Sequence, residues 1–334
     1  MVDHHLRSQL PSLKSLCLLG VLVFLLGACQ STNLPDSSSE EGNAGTSEDA
    51  FPSLTRDSKG TVLFVDLSTR EQYVGQFGES LQLALSDPNI GWASLSPDGD
   101  QIAYLAEGQF KIYDVESKTT RIVNESPVGS YESGQAWSPD EKKLAFDCTT
   151  TPEKVDLCII DIESGHVNVL VNYDDSSPNQ LLIGTWSHDG NWIVLVYGPL
   201  AEQGEWHGEL QLINVHSGEI KSLIDEKHLD QFPFITSPSI SPDGNTILFQ
   251  ANVNSVPEIF SMITRTGEIT QLTRKSQYGV IHPIWGPMGD GFIAAVTQKS
   301  ALGEYILLPT LFSPTGEIVA QWHDLNGWVI GWSL

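Results

Sequence analysis

The chain has 334 residues, with 17 Lys and Arg against 42 Asp and Glu, and a formal net charge of −25. A chain this acidic lacks the excess of basic residues with which proteins bind nucleic-acid phosphates or an anionic bilayer surface. We therefore expect no nucleic-acid partner. The charge favours solubility, and it can also attract cations or a basic partner.

Residues 1–28 have the organisation of an export signal. Arg7 and Lys14 flank the start of an apolar segment at 16–26, which is too short for a comfortable membrane span. The segment ends in Leu26-Gly27-Ala28-Cys29, which resembles the bacterial lipobox. That resemblance implies cleavage before Cys29 and acylation of this cysteine, with palmitate among the lipids. The expected location is the extracytoplasmic side of a bacterial envelope membrane; an ordinary signal peptide or a signal anchor is the alternative.

Residues 29–52 form the next predicted segment. They consist mainly of Ser, Asn, Gly, Asp and Glu, and they contain almost nothing apolar. Such a composition cannot build a core, so the segment is predicted to be a disordered, lipid-anchored linker. The remaining residues, 53–334, are predicted to form one folded domain.

A five-residue pattern with the consensus Trp-Ser-Pro-Asp-Gly, called here the repeat motif, recurs through that domain. Its five copies are Leu95–Gly99, Trp137–Glu141, Trp186–Gly190, Ile240–Gly244 and Trp285–Gly289. Measured at the Asp position, the steps are 42, 49, 54 and 45 residues. Repeats of this length are typical of propeller blades. Pro presets φ, Asp hydrogen-bonds nearby amides and Gly accepts a left-handed conformation, so each copy predicts a tight turn.

Three short apolar runs follow each copy, and a run of small residues precedes it. The pattern predicts four strands a, b, c and d per repeat, with the motif in the a–b turn. The first hairpin, at 61–65 and 72–75, is predicted to be strands c and d, with 51–57 as the candidate for strand b. Trp328–Trp332 is predicted to supply strand a. The two ends would then complete a sixth blade and leave no open sheet edge.

The motif followed by an apolar strand resembles the WD40-like repeat of TolB-like β-propellers, over about 280 residues. The resemblance implies an all-β fold: a six-bladed β-propeller of four-stranded antiparallel blades, closed by pairing of the N- and C-terminal strands. The sequence has no G-x-S-x-G elbow, phosphate loop or dinucleotide fingerprint. We therefore expect a binding or assembly module, with a protein or peptide partner in the cell envelope, rather than an enzyme.

Two cysteines remain in the mature domain. Cys148 and Cys158 lie on strands b and c of one blade and flank a loop centred near Glu153. In a hairpin with that centre they would face each other, which is a suitable arrangement for a disulfide in an oxidising compartment. Two buried thiols are the alternative.

Loop length divides the two faces of the predicted propeller. The a–b and c–d turns are short, whereas the b–c and d–a connections carry the insertions at 149–155, 172–183, 198–208, 225–237, 251–257 and 273–283. Long loops on a rigid scaffold are common binding sites. The candidate binding residues on this face combine aromatic, acidic and imidazole side chains: Tyr173, Asp174, Asp175, Trp206, His207, His228, Asp230, Phe232, Phe234, Tyr278 and His282. Packing of some of these aromatic rings within their own loops is the alternative.

Three histidines on this face suggest a second hypothesis. His207, His228 and His282 have no metal-ligand spacing between them, so they are only weak candidates for a divalent-metal site, and no cofactor is expected. Several lyases with TolB-like blades use a histidine and metal centre. The alternative function is therefore a metal-dependent propeller enzyme, similar to a polysaccharide lyase or a lactonase, acting on an extracellular substrate.

Overall fold

The structure is a computed structural model. It describes residues 60–333 except 77–79, 87–89, 91, 125–133, 152–153, 174–178, 200–207, 226–227, 229–230 and 275–276. The predicted signal, linker and residues 53–59 therefore lie outside the described residues. Within the described part of the chain, no helix is long and apolar enough to cross a membrane.

The described residues form 24 β-strands. In chain order they are β1 (Thr61–Asp66), β2 (Gln72–Gln76), β3 (Gln82–Leu85), β4 (Ala93–Leu95), β5 (Gln101–Ala106), β6 (Gln109–Asp114), β7 (Thr119–Ile122), β8 (Gln135–Trp137), β9 (Lys143–Thr151), β10 (Lys154–Asp161), β11 (Val167–Val171), β12 (Asn179–Trp186), β13 (Trp192–Pro199), β14 (Glu209–Asn214), β15 (Ile220–Ile224), β16 (Thr236–Ile240), β17 (Thr246–Val253), β18 (Val256–Ile263), β19 (Ile269–Gln271), β20 (Val280–Trp285), β21 (Phe292–Lys299), β22 (Tyr305–Phe312), β23 (Ile318–Gln321) and β24 (Gly327–Trp332).

These strands build six four-stranded antiparallel sheets, which confirms the predicted fold. Blade 1 is β4–β7, blade 2 is β8–β11, blade 3 is β12–β15, blade 4 is β16–β19 and blade 5 is β20–β23. Blade 6 is β24 followed by β1, β2 and β3. The first strand of each blade contacts the first strands of both neighbours, so β4, β8, β12, β16, β20 and β24 form an inner ring around the channel.

The core lies between the faces of neighbouring blades. One cluster joins Val194 and Val196 of blade 3 to Phe249 and Phe260 of blade 4. Strand b is buried on both sides because each blade is covered by two neighbours; in β5 the residues after Gln101 are all buried. Strand d lies at the outer edge, and β7 is exposed along its whole length.

The repeat motif closes its turn by local hydrogen bonds. In blade 3, the Ser187 hydroxyl donates to Asp189 Oδ1 over 2.5 Å, and its oxygen accepts the Trp192 amide over 2.9 Å. Asp189 Oδ1 also accepts the Asn191 amide over 3.0 Å. These bonds, the serine hydroxyl first, hold the pKa of Asp189 below its usual range. The same arrangement occurs in blades 1, 2 and 4.

The Trp of the motif links one blade to the previous one. The Trp137 indole donates to the Ser94 carbonyl, and the Trp186 indole donates to the Ala136 carbonyl, both over 3.1 Å. Each acceptor is the residue just before the motif of the preceding blade. The motif therefore fixes both a turn and the spacing between adjacent inner strands.

Ring closure corrects the strand assignment of blade 6. β24 pairs with β1, and the Ser333 amide donates to the Thr61 carbonyl over 2.9 Å, as the motif Ser does in other blades. β1 is therefore strand b, β2 is strand c and β3 is strand d. The predicted assignment of 61–65 and 72–75 to strands c and d is wrong by one strand, and β1 fills the place predicted for 51–57.

The cause of this error is a turn that occurs on both faces. Asp66 Oδ1 accepts the amides of Ser68 and Thr69, both over 2.8 Å, in the b–c turn of blade 6. Asp161 makes the same bond to the Ser164 amide in the c–d turn of blade 2. The local chemistry of the two turns is alike, so it does not encode the position of a turn within a blade.

The structure contains the Cys148–Cys158 disulfide, with Cα atoms 5.8 Å apart. The predicted direct opposition is wrong in register: Cys148 pairs with Asp156, and Cys158 pairs with Phe146. An irregularity between Lys154 and Val155 shifts the ladder. The two cysteines therefore occupy diagonal positions, where their side chains share one face of the hairpin.

Candidate functional site

The two ends of the propeller differ, and we name them by their turns. The motif face carries the a–b and c–d turns; the loop face carries the b–c and d–a connections. Several predicted insertions of the loop face are strand instead: β12 begins at Asn179, and β17 and β18 leave only residues 254–255 between them. Long connections remain at 123–134, 172–178, 200–208, 225–235 and 272–279.

Five candidate binding residues lie in connections that the structure does not describe. They are Asp174, Asp175, Trp206, His207 and Asp230. Their predicted part in binding stays a prediction. The other six candidates can be placed.

Tyr173 lies in the core rather than on an accessible surface, so its prediction as a binding residue is wrong. Its ring stacks on Tyr197 with centroids 3.7 Å apart, and its hydroxyl donates to Gln211 Oε1 over 3.1 Å. Its amide donates to the buried Asp156 over 2.9 Å. Burial raises the pKa of Tyr173, which is only 7% exposed. The ring therefore connects blades 2 and 3. Its polar hydroxyl can be buried because it has a hydrogen-bond partner.

Phe232 and Phe234 pack against the core cluster between blades 3 and 4. The Phe232 ring meets Phe249 and Phe260 edge-on, with centroids 5.9 and 5.6 Å apart. These contacts agree with the alternative interpretation, in which the aromatic rings pack to hold their own loop. Each ring keeps part of its surface exposed.

His228 is exposed on a single helical turn. Its Nδ1 lies 2.7 Å from Asp225 Oδ1, and the His228 side chain is 58% exposed. Both residues of this pair belong to one loop.

Tyr278 belongs to an aromatic–cation cluster on blade 5. Its ring meets Tyr305 edge-on with centroids 5.4 Å apart, and the Lys299 ammonium lies 5.5 Å from the Tyr278 centroid and 5.3 Å from that of Tyr305. Each of these contacts is worth about 0.5–1 kcal/mol at a partly exposed site. The cluster presents aromatic faces and a positive charge on an otherwise acidic protein.

His282 lies in the channel, not on a loop. It is the third residue of β20, and its ring stacks on Trp328 at 5.5 Å and lies 5.9 Å from Trp92. Trp92 and Trp328 are 6.4 Å apart. We call these three residues the channel triad. They come from blades 5, 6 and 1 and lie where the inner strands begin, at the loop-face end.

The channel triad depends on an irregular inner strand. His282 has φ 54°, and Ser237 at the equivalent position of β16 has φ 49°. The ladder of each strand slips at this point. The Ser237 hydroxyl lies 3.0 Å from His282 Nδ1. Non-glycine residues rarely adopt a positive φ, and such conformations concentrate at functional sites.

Burial keeps the His282 ring neutral. Removal from water lowers the pKa of His282 to about 4. The Trp328 indole nitrogen is buried without an acceptor. The loop-face end of the channel therefore combines two indoles, one neutral imidazole and one unsatisfied donor.

The metal hypothesis has no assembled ligand set in the described residues. Among them, no three His, Cys, Asp or Glu side chains come together as a metal site. His282 contacts indoles and a serine, and His228 contacts one carboxylate. The third candidate, His207, lies outside the described residues.

The predicted binding residues do not include Trp92, Trp328, Lys299 or Tyr305. One position in the sequence could have pointed to part of the channel triad. It lies three residues before the repeat motif, and Trp92, Ser237 and His282 occupy it in their blades. No local sequence pattern indicates that Lys299 contacts the two tyrosines, because Tyr278 lies in the preceding d–a connection.

Comparisons with known proteins show which proteins have a similar fold. No family model matches the chain. An uncharacterized peptidase, YuxL, of Bacillus subtilis is 26% identical over 219 residues, which covers 53% of this chain and 31% of that protein. The chain thus spans about a third of the curated relative that it matches.

The solved structures that resemble this chain include two TolB proteins. TolB from Acinetobacter baumannii has a TM-score of 0.62 and 17% identity, over 82% of this chain and 66% of that one. A putative TolB from Agrobacterium tumefaciens has a TM-score of 0.59 and 15% identity, over 80% and 90%. An oligogalacturonate lyase in complex with manganese has a TM-score of 0.53 and 15% identity, over 80% and 84%. At these identities the likeness concerns the fold, which hosts many functions. The chain is a six-bladed β-propeller whose fold is similar to that of these TolB proteins.

Proposed function

We propose that this protein is an exported lipoprotein of the cell envelope whose propeller binds a protein or peptide partner through its loop face. The observation that carries the proposal is the cluster of Lys299 with Tyr278 and Tyr305, beside the channel triad on the same face. Tyrosine is one of the residues that dominate the binding energy of many protein interfaces. The TolB-like fold agrees with a binding role.

The path of the chain supports this choice of face. Gly60, the first described residue, lies on the motif face beside Ser333, because Thr61 and Ser333 are hydrogen-bonded there. Residues before Gly60 are therefore attached to the domain on its motif face, at the end opposite the loop face.

The test is recovery of a partner from detergent-solubilised envelopes with the full-length protein. The double variant Lys299→Ala, Tyr278→Ala is expected to lower recovery at least tenfold, whereas Lys118→Ala, an exposed lysine of the motif face, leaves it unchanged. Equal recovery with both variants contradicts the choice of face. In the same preparation, Cys29→Ala is expected to release the protein from the membrane fraction, and retention would contradict the lipid anchor.

The alternative is a metal-dependent enzyme acting on an extracellular polysaccharide or lactone. Its support is the set of histidines His207, His228 and His282 and the fold shared with a manganese-containing lyase. Metal analysis of the purified domain separates the two proposals. Stoichiometric divalent metal that is lost in a His207→Ala variant would favour the enzyme.

A further inference from the structure

The fifth copy of the repeat motif, Trp285–Gly289, departs from the pattern at two positions. Gly286 replaces Ser, and the reason is packing: a Cβ at this position would lie 2.7–2.8 Å from the Trp332 ring of blade 6. Met288 replaces Asp, and packing does not explain it, because Met288 is 62% exposed. Blade 5 thus presents a flexible apolar side chain where blades 1 to 4 present a carboxylate.

Met288 stands over a groove between blades 4 and 5 on the motif face. The groove has a volume of about 460 Å³, which is sufficient for one or two side chains. Pro242, Trp285, Met288 and Pro314 form its apolar wall, and Ser241, Asp243, Thr246 and Gly289 complete the lining. We call it the motif-face groove.

Trp285, which lines the groove, also has a buried indole donor without an acceptor. Its side chain is 8% exposed, and its Nε1 is buried without an acceptor. The equivalent indoles of Trp137 and Trp186 each donate to a carbonyl of the preceding blade. An unpartnered buried donor costs about 1–3 kcal/mol, so the fifth copy of the motif is less well satisfied than the second and third.

The surroundings of the groove are strongly acidic. The five a–b turns at 96–100, 138–142, 187–191, 241–245 and 286–290 contain seven carboxylates and one lysine. Hydrogen bonds, that of the Ser241 hydroxyl first, hold the pKa of Asp243 below its usual range, and Ser138 does the same for Asp140. These groups are therefore ionised at neutral pH. Asp243 lines the groove itself, and the other carboxylates lie on turns of the same face.

We infer that the motif-face groove is a second docking site, which takes a segment of a partner protein where an apolar side chain adjoins lysine or arginine. The apolar side chain packs against Met288, Pro242 and Pro314, and the cation faces Asp243. Met suits such a contact because its unbranched chain adapts to different shapes. Nucleic acid, an anionic membrane or a second copy of this acidic face would be repelled.

The test uses an immobilised library of heptapeptides built from Lys, Leu, Pro and Gly, with matched libraries in which Glu replaces Lys or Ser replaces Leu. The full-length protein is expected to bind only peptides that contain both Lys and Leu, and more weakly as salt rises. Met288→Asp, which restores the common motif residue, is expected to lower binding at least tenfold. Leu302→Asp, at an exposed apolar residue of the loop face, is the matched control and leaves binding unchanged.

The outcomes separate this site from the loop face. Equal binding by wild type and Met288→Asp, equal binding of the Ser-for-Leu library, or no binding by any library would overturn the inference. Because Met288 is exposed and the other copies carry Asp, the variant keeps the fold, which a thermal melt verifies. In the experiment that recovers the envelope partner, Met288→Asp is expected to leave recovery unchanged. The loop-face proposal and the motif-face proposal can therefore fail independently.

Discussion

At the residue scale, the channel triad shows how position changes the chemistry of a side chain. His282 was selected as a loop histidine, but it lies on an inner strand between two indoles. The two rings pack on the imidazole and shield it from water. Its pKa of about 4 therefore comes from burial rather than from a charged neighbour.

This burial predicts a pH dependence of stability. In the unfolded chain His282 binds a proton below about pH 6.5, whereas in the folded protein it does so only below about pH 4. The free energy of unfolding should therefore fall as the pH is lowered from 6.5 to 4, by an amount on the order of 3 kcal/mol. Urea denaturation of wild type and His282→Gln measures the effect, and the variant should lose most of this slope. His228→Gln, at an exposed histidine, is the control; an unchanged slope in His282→Gln would show that another group is responsible.

At the scale of the element, the repeat motif is a turn and a link between blades at once. The turn is local, because Ser and Asp bond to each other and to amides within five residues. The link is tertiary, because the indole reaches the preceding blade. Blade 5 keeps the backbone bonds of the turn but lacks the indole bond, and the two effects can therefore be separated.

Trp186→Phe and Trp285→Phe form a matched pair for this purpose. Both indoles are 8% exposed, so both variants lose similar packing. Trp186→Phe also leaves the Ala136 carbonyl without its donor, whereas Trp285→Phe removes a donor that has no acceptor. We expect Trp186→Phe to lower the free energy of unfolding by about 1–3 kcal/mol more than Trp285→Phe. Chemical denaturation of both variants checks this, and equal losses would show that the indole bond contributes nothing.

At the scale of the whole molecule, stability depends on the seam that joins the two ends of the domain. β24 pairs with β1, and Gly327 lies so close to β1 that a Cβ would fall 1.9 Å from the Val65 carbonyl oxygen. This pairing covers the edge of β1, so damage to the seam should expose β1 and weaken the packing of the neighbouring blades. Blade 6 is the one blade whose strands come from both ends of the described chain.

Gly327→Ala is therefore expected to destabilise the protein more than an ordinary glycine substitution. The β1 backbone must move to accept the methyl group, and a loss of several kcal/mol is of the size seen for core disruption. Gly244→Ala is the control: its φ is 72°, a Cβ there meets nothing within 4 Å, and only about 1–2 kcal/mol of backbone strain is expected. Thermal melting of the two variants compares them. A smaller loss of thermal stability in Gly327→Ala than in Gly244→Ala would show that the β1–β24 pairing can shift to accept the methyl group.

The sequence by itself determined the six blades, the turn of the repeat motif and the joining of the two ends. Those features rest on local chemistry repeated at blade spacing, which is readable from residue types. Only the tertiary structure decided that β1 is strand b, because the Asp66 turn resembles turns of the opposite face. It also decided that Tyr173 is buried, that Phe232 anchors its loop, and that Trp92, His282 and Trp328 meet. These depend on which strands become neighbours across the ring, and contacts between side chains far apart in sequence leave no local pattern.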